Sequence, residues 1–157
     1  MRVFKRLNIL LIGLIAALPA IAQEDTPPEA APTSKQFGDV TVHFTVLNTS
    51  FLSPQVARSY GIVRGDNKFL MNVAVSKQEE QRSRALRAEV SGSSSDLIHR
   101  TPLEFREVIE QDAIYYIAEL EIDSKRERRG FRLSVKTDER PQPYDIQFNK
   151  QLYRDGD

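Results

Sequence analysis

The side chains that could act as a catalytic base or bind a metal are sparse in this sequence. Its two histidines are His43 and His99, and it contains no cysteine. Neither histidine lies in a recognisable catalytic motif, and no G-x-S-x-G nucleophile elbow accompanies the serines. A tetrahedral zinc site needs three or four protein ligands, whereas His43 has no second histidine or cysteine nearby. We therefore expect a protein that is not an enzyme and that uses no metal and no cofactor.

Two further polar segments have competing interpretations. The serine-rich run Ser91–Asp96 is interpreted as a flexible turn, because Gly, Ser and Asp commonly build loops. Four cations, Lys125, Arg126, Arg128 and Arg129, are predicted to lie at a hairpin tip, where they would meet anionic lipid head groups, an acidic glycan or a partner's carboxylates. The alternative, which we favour, is a solvated loop whose charges discourage edge-to-edge pairing of strands.

The first 22 residues have the layout of a secretory signal peptide. Three cations within the first six positions precede the apolar run Leu7–Leu18, and an A-x-A site follows at Ala20–Ala22. We expect cleavage between Ala22 and Gln23 and a periplasmic location in a Gram-negative bacterium. An uncleaved anchor is the alternative, but this run is shorter than the roughly 20 apolar residues that span a bilayer. Membrane contact is expected only if the leader is retained.

Removal of that leader leaves 19 Lys and Arg against 22 Asp and Glu, a net charge of −3. A nucleic-acid-binding domain typically carries a strong basic excess. We therefore expect no nucleic-acid partner.

The rest of the chain divides into a spacer and one domain. Residues 23–36 contain three prolines and show no helical or strand periodicity, which predicts a disordered spacer. Residues 37–157 are predicted to form a single domain. Because disulfides are impossible without cysteine, the fold has to depend on its apolar core.

Alternation of apolar and polar residues dominates that domain and predicts strands. About seven such segments are separated by turn residues, which predicts an all-β fold, an antiparallel β-sandwich of immunoglobulin-like architecture. The segments are Val40–Val46, Phe69–Val75, Leu86–Val90, Leu103–Ile109, Ile114–Ile122, Phe131–Val135 and Tyr144–Phe148. The apolar phase shifts within the fourth segment, which predicts a β-bulge. The fifth has apolar residues on both faces, which predicts a central strand covered on both sides.

One short helix is predicted after the first strand. Ser53 is a suitable N-cap, Pro54 fits the first helical position, and Gly61 supplies a left-handed stop. Val56 and Tyr60 are four residues apart and share a face. Together with Phe51, Leu52 and Ile62, these two side chains are expected to close one end of the sandwich.

Several blocks of the sequence resemble a known family. The matching blocks are Phe37–Phe44, Asn48–Pro54, Ser59–Ile62, Leu70–Val73, Ala113–Ala118 and Pro143–Ile146. Together they resemble domain-of-unknown-function family 4426 (DUF4426). The resemblance implies a small exported bacterial protein with a β-sandwich fold, and it carries over no activity, cofactor or catalytic residue.

Two hypotheses for function follow. The first is a protein-interaction or scaffolding module that engages another envelope protein through a sheet edge or through the segment Asn48–Ile62. The second is a small-ligand receptor with a pocket at one end of the sandwich, lined by Tyr60, Asn72 and Tyr115. The candidate surface residues are Asn48, Phe51, Tyr60, Asn72 and Tyr115. The sequence leaves the oligomeric state open.

Overall fold

Two antiparallel sheets pack face to face in the computed structural model, which describes residues 30–155. Within this range the chain forms ten strands, one 3-10 turn and one α-helix. The strands are β1 (Ser34–Phe37), β2 (Val40–Asn48), β3 (Lys68–Glu79), β4 (Arg82–Ala85), β5 (Glu89–Ser95), β6 (Arg100–Pro102), β7 (Arg106–Glu110), β8 (Ala113–Glu121), β9 (Arg126–Lys136) and β10 (Tyr144–Tyr153). The 3-10 turn is Thr49–Phe51, and helix α1 is Pro54–Ser59.

Along the chain, successive groups of strands belong alternately to the two sheets. Sheet A has the order β1-β2-β3-β8-β7, with β4 paired to the end of β3, and sheet B has the order β10-β9-β5-β6. The predicted all-β antiparallel sandwich is therefore confirmed. The predicted leader, its cleavage site at Ala22 and Gln23, and residues 23–29 of the spacer lie outside the described residues.

The core lies between the sheets and is built by the predicted alternation. Val42, Met71, Val73 and Val135 have no exposed surface, and their neighbours in sequence point outward. The rings of Phe44 and Phe148 join the two sheets with centroids 4.7 Å apart. A second ring contact, at 5.0 Å, joins Phe148 to Phe131 on the neighbouring strand. Burial of these side chains is the main stabilising contribution in a domain without disulfides.

The N-terminal boundary differs from the prediction. Ser34–Phe37 pair with Val40–His43 around the tight turn at Gly38, whose φ of 66° suits glycine. The spacer therefore ends before Ser34. This strand escaped prediction because it has one large apolar residue and is held by its partner rather than by its own pattern.

Two segments that were each predicted to form a single strand instead contain a crossing from one sheet to the other. Leu86 and Ala88 lie between β4 in sheet A and β5 in sheet B, so this segment connects two strands. Likewise, Leu103 and Phe105 lie between β6 and β7, which belong to different sheets. The phase shift in this segment thus reflects a change of sheet, and the predicted bulge is wrong.

The serine-rich run is a strand and not a flexible turn. Its residues up to Ser95 belong to β5, which pairs with β9 on one side and β6 on the other. Ser94 is buried, with 1% of its surface exposed. A Cβ at Gly92 would lie 2.6 Å from the Arg132 carbonyl oxygen, so the strands approach too closely there for a larger residue. The small side chains of β5 allow it to pack closely against β9.

Candidate functional site

Helix α1 covers part of the outer face of sheet A. Ser53 accepts a hydrogen bond from the Val56 amide at 3.2 Å, and Pro54 occupies the first turn, as predicted. Gly61 has a φ of 63°, and the Ile62 amide then donates to the Ala57 carbonyl at 2.8 Å. These contacts turn the chain back toward β3. The predicted helix is confirmed, with its bounds at Pro54–Ser59.

The helix packs on the sheet and does not close an end of the sandwich. Ala57 and Ile62 are buried against Leu70 of β3 and Ile117 of β8, which face away from the main core. These two strands carry apolar residues on both faces, so the outer face needs its own cover. Phe51 takes no part in it, because 75% of its surface is exposed.

A cavity of about 180 Å³ lies between α1 and the sheet, and we call it the outer-face cavity. Its lining is almost entirely apolar. The strands contribute Leu47, Leu70, Asn72, Val108, Glu110, Tyr115 and Ile117, and the helical segment contributes Leu52, Val56, Tyr60 and Ile62. The cavity therefore forms only when β2, β3, β7 and β8 are paired side by side.

Several polar side chains lie in or beside this lining. The neighbouring Glu110 carboxylate favours the protonated Tyr60 hydroxyl and so raises the pKa of Tyr60. The Arg106 guanidinium donates to the Tyr60 carbonyl and so connects β7 with the end of α1. Among the described residues, the buried Oδ1 of Asn72 has no hydrogen-bond partner. A group with a donor would satisfy this oxygen.

A second depression continues across sheet A from Asn72 and Tyr115. It passes over Thr45 and reaches His43, whose Nε2 lies 3.2 Å from the Ser76 hydroxyl. Within residues 30–155, no three His, Cys, Asp or Glu side chains gather into a set that could hold a metal ion.

The structure separates the predicted surface residues into two groups. Tyr60, Asn72 and Tyr115 line the outer-face cavity together, although it lies on a sheet face rather than at an end of the sandwich. Asn48 is buried and has a structural role. Its side chain accepts a hydrogen bond from the Ser50 amide at 2.8 Å and caps the 3-10 turn.

The basic cluster is not one loop. Lys125 precedes β9, while Arg126 and Arg128 lie on the strand and are exposed. Arg129 points inward and is 9% exposed. Its Nε lies 2.5 Å from a Glu127 carboxylate oxygen, and its guanidinium also donates to the Ser94 hydroxyl at 3.2 Å. Arg129 is therefore a structural residue, unavailable to an external anion.

Sequence reasoning missed Val108 and Glu110 as cavity residues. Both lie on β7, and only the pairing of β7 with β8 brings them beside Tyr115. A partial signal was present in β3 and β8, since Leu70 and Ile117 interrupt the alternation with apolar residues on the outer face. That pattern predicts a covered face without saying what covers it.

Comparisons with known proteins agree with this architecture. The model of the domain-of-unknown-function family DUF4426 matches residues 34–155. The chain belongs to the DUF4426 family. It is also similar to the 2.09 Å crystal structure of a DUF4426 family protein from Pseudomonas aeruginosa PAO1, with 37% sequence identity and a TM-score of 0.66. That match covers 78% of this chain and 94% of the other. A search of curated proteins found no significant match.

Proposed function

We propose that this DUF4426 protein is an exported, non-enzymatic interaction module of the cell envelope. In this proposal, the outer-face cavity anchors one apolar side chain of a partner protein. The observation that supports it most directly is an accessible, nearly apolar cavity on a sheet face with a short helix above it. Export is supported by the predicted leader and remains a prediction.

The size of the cavity favours a side chain over a free metabolite. Pockets for small-molecule ligands commonly enclose about 300–1,000 Å³. The outer-face cavity has about 180 Å³, close to the ~150 Å³ that admits a benzene ring. It therefore fits one aromatic or branched aliphatic group. A small-ligand receptor is therefore the second candidate function.

The neighbouring strand offers a way to hold the rest of the partner. β7 is an edge strand of sheet A, with β8 on one side only. Because alternate residues of an edge strand direct their N–H and C=O groups away from the sheet, an extended segment can pair there. Val108 and Glu110 of this strand line the cavity. A partner segment beside β7 would lie close to the cavity.

Site-specific photo-crosslinking in living cells tests this proposal. Val56 lines the cavity and is 41% exposed, whereas Val63 is 58% exposed and outside the lining. With benzoylphenylalanine at each position in turn, we expect a discrete protein adduct from position 56 and little or none from position 63.

A second variant shows whether the cavity itself is used. Val108→Phe fills the cavity from β7 and should abolish the adduct at position 56. Ile109→Phe places the same ring on the opposite face of the strand and should leave that adduct in place. Equal adducts from positions 56 and 63, or an adduct that survives Val108→Phe, would contradict the proposal. A small molecule retained by the native protein in mass spectrometry would favour the ligand receptor.

A further inference from the structure

The tip of the β5–β6 hairpin exposes two adjacent aliphatic side chains. Leu97 is fully exposed at 100% and Ile98 is 83% exposed, the highest values among the large apolar residues that the structure describes. The turn is held in one conformation by Asp96, whose carboxylate accepts from the backbone amides of Ile98 at 2.7 Å and His99 at 2.6 Å. Both side chains are therefore presented to the surroundings by an ordered turn.

The outer face of sheet B beside this tip carries arginines. Arg126, Arg128 and Arg132 alternate along β9 with inward-facing residues, and Arg100 lies on β6. All four are exposed, and none has an ion-pair partner among the described residues. The face thus presents a row of arginines without ion-pair partners next to the tip, while its exposed acidic residues Glu89 and Asp145 lie toward the other end of the sheet. This row differs from the predicted loop, because it includes Arg100 and Arg132 and excludes Arg129.

Two of these arginines border the same depression. Arg100 and Arg132 line a cavity of about 220 Å³ above Gly130, together with the polar side chains of Gln147 and Asn149. A Cβ on Gly130 would lie 3.0 Å from the Ser95 hydroxyl, so a larger residue would crowd this floor. Guanidinium groups bind phosphate through paired N–H donors. The depression therefore suits a phosphate group.

Acidic residues close to the tip are already engaged. The Asp96 carboxylate accepts from the Ile98 and His99 amides, and the Nδ1 of His99 lies 3.7 Å from it. The Glu127 carboxylate pairs with Arg129. Asp123 lies exposed in the turn before β9 and is the remaining acidic group between β8 and Arg126. Positive charge therefore prevails on the outer face of sheet B next to the tip.

We propose that this hairpin tip and arginine face form a docking surface for an anionic phospholipid bilayer. Leu97 and Ile98 enter the boundary between head groups and acyl chains, and Arg100 and Arg132 bind lipid phosphates. Leu97 lies in the turn two residues beyond Ser95, which lines the depression, and two residues of chain span at most roughly 7 Å. Interfacial side chains penetrate about 5–10 Å, so the spacing fits a bilayer surface. The folded domain then contacts a membrane without its leader.

A single introduced tryptophan tests insertion of the tip. The chain contains no Trp, so Leu97→Trp in the exported protein recovered from a bacterial host provides the sole indole fluorophore. We expect a blue shift of its emission with vesicles of phosphatidylcholine and phosphatidylglycerol at 3:1, and no shift with pure phosphatidylcholine. Phe51→Trp, at a residue of the 3-10 turn that is 75% exposed, is the matched control and should not shift. No shift at position 97, or equal shifts at both positions, would overturn the proposal.

Vesicle sedimentation tests the arginines. Arg100→Ser with Arg132→Ser should weaken binding to the 3:1 vesicles by about fivefold per arginine, since each cation near an anionic surface contributes on the order of 1 kcal/mol. Arg58→Ser with Arg82→Ser, at two exposed arginines of other elements, should change it little. Equal losses from both pairs would indicate nonspecific attraction and contradict the docking surface.

Leu97→Ser with Ile98→Ser separates a bilayer from a free phosphate. We expect roughly a tenfold loss of vesicle binding from the removal of two inserting side chains. Unchanged binding, combined with binding of soluble glycerol phosphate, would assign the depression to a free phosphate compound and overturn the bilayer proposal. These variants lie on sheet B, so the crosslink from position 56 should persist and the two proposals can fail separately.

Discussion

Lys150 points into the sandwich from β10, an edge strand of sheet B. Its Nζ donates to the carbonyl oxygen of Val46 at 2.6 Å. Val46 lies on the part of β2 that β1 does not reach, so the lysine crosses from one sheet to the other at an open edge. An inward-pointing charge on an edge strand opposes pairing with another chain. Partial burial removes water from the ammonium and lowers the pKa of Lys150.

The lowered pKa of Lys150 predicts how stability changes with pH. Between the folded pKa and the ordinary lysine value of ~10.4, the unfolded chain binds more protons than the folded chain, so the free energy of unfolding rises with pH. Below that window the cost of burying the charge is fully present. The free energy of unfolding of the wild type, minus that of Lys150→Met, should therefore increase from pH 7 toward pH 10.

Urea denaturation at several pH values measures this difference. Lys136→Met, at an exposed lysine on the neighbouring strand, gives the baseline for removing a lysine. A difference that is flat or falls with pH would show that the Val46 contact, and not desolvation, governs the titration of Lys150.

At the level of single residues, the sequence predicted the helix caps correctly, but it did not predict correctly which polar side chains are exposed. Ser53 and Gly61 have the capping roles that their types suggest, because capping depends on neighbours within four residues. Asn48 and Arg129 were expected at the surface and are buried. Each has a near partner in sequence but also a distant one, Asp66 for Asn48 and Ser94 for Arg129. Such contacts leave no local pattern.

At the level of elements, helix α1 depends on its caps and on the sheet beneath it. A helix of six residues is too short to be stable alone. Its position above the outer-face cavity therefore rests on Ser53, Gly61 and the buried contacts of Ala57 and Ile62. Weakening any of these should loosen the cavity wall before it unfolds the sandwich.

Ser53→Ala and Gly61→Ala should each lower the free energy of unfolding by about 1 kcal/mol. The first removes the acceptor of the Val56 amide, and the second forces alanine into a left-handed conformation without a steric clash, since nothing lies within 4 Å of the added Cβ. Hydrogen exchange should quicken at the Ala57 and Ile62 amides in both variants. Gln55→Ala, at an exposed helical position, is the control. Unchanged exchange in both cap variants would show that packing alone holds the helix.

The long strands were predictable and the short ones were not. β2, β3, β8, β9 and β10 alternate over many residues because one face meets a continuous core. β1, β4 and β6 have three or four residues each and are largely polar. They are strands because a neighbour offers hydrogen bonds, which a local pattern does not reveal. The outer-face cavity was predictable only in part for the same reason. Some of its residues could be identified in the sequence, but the strand pairing that brings in Val108 and Glu110 could not.

At the level of the whole molecule, the close approach of β5 and β9 holds sheet B together. Gly92 faces the Arg132 backbone in the centre of this pairing, and an added Cβ would also lie 2.9 Å from a methyl group of Leu133. The backbone cannot give way as a flexible side chain would. A larger residue therefore separates the strands or distorts the sheet.

Gly92→Ala should destabilise the domain by about 2 kcal/mol, in the range of overpacked cores. Thermal unfolding followed by circular dichroism should show a transition that is lower by several degrees. Ser91→Ala, at the adjacent exposed position of β5, should have a much smaller effect. An unchanged melting temperature for Gly92→Ala would show that β5 and β9 can move apart at little cost.

The chain changes sheet three times, from β4 to β5, from β6 to β7 and from β8 to β9. Each sheet consequently combines two groups of strands that are separated in sequence by strands of the other sheet, and β9 and β10 complete sheet B last. Contacts between distant segments form slowly, because long loops must close first. A nascent chain that emerges N-terminus first cannot complete sheet A until β8 is present, or sheet B until β10 is present. In the export that we propose, both sheets would therefore stay incomplete until β8 and β10 have crossed the membrane.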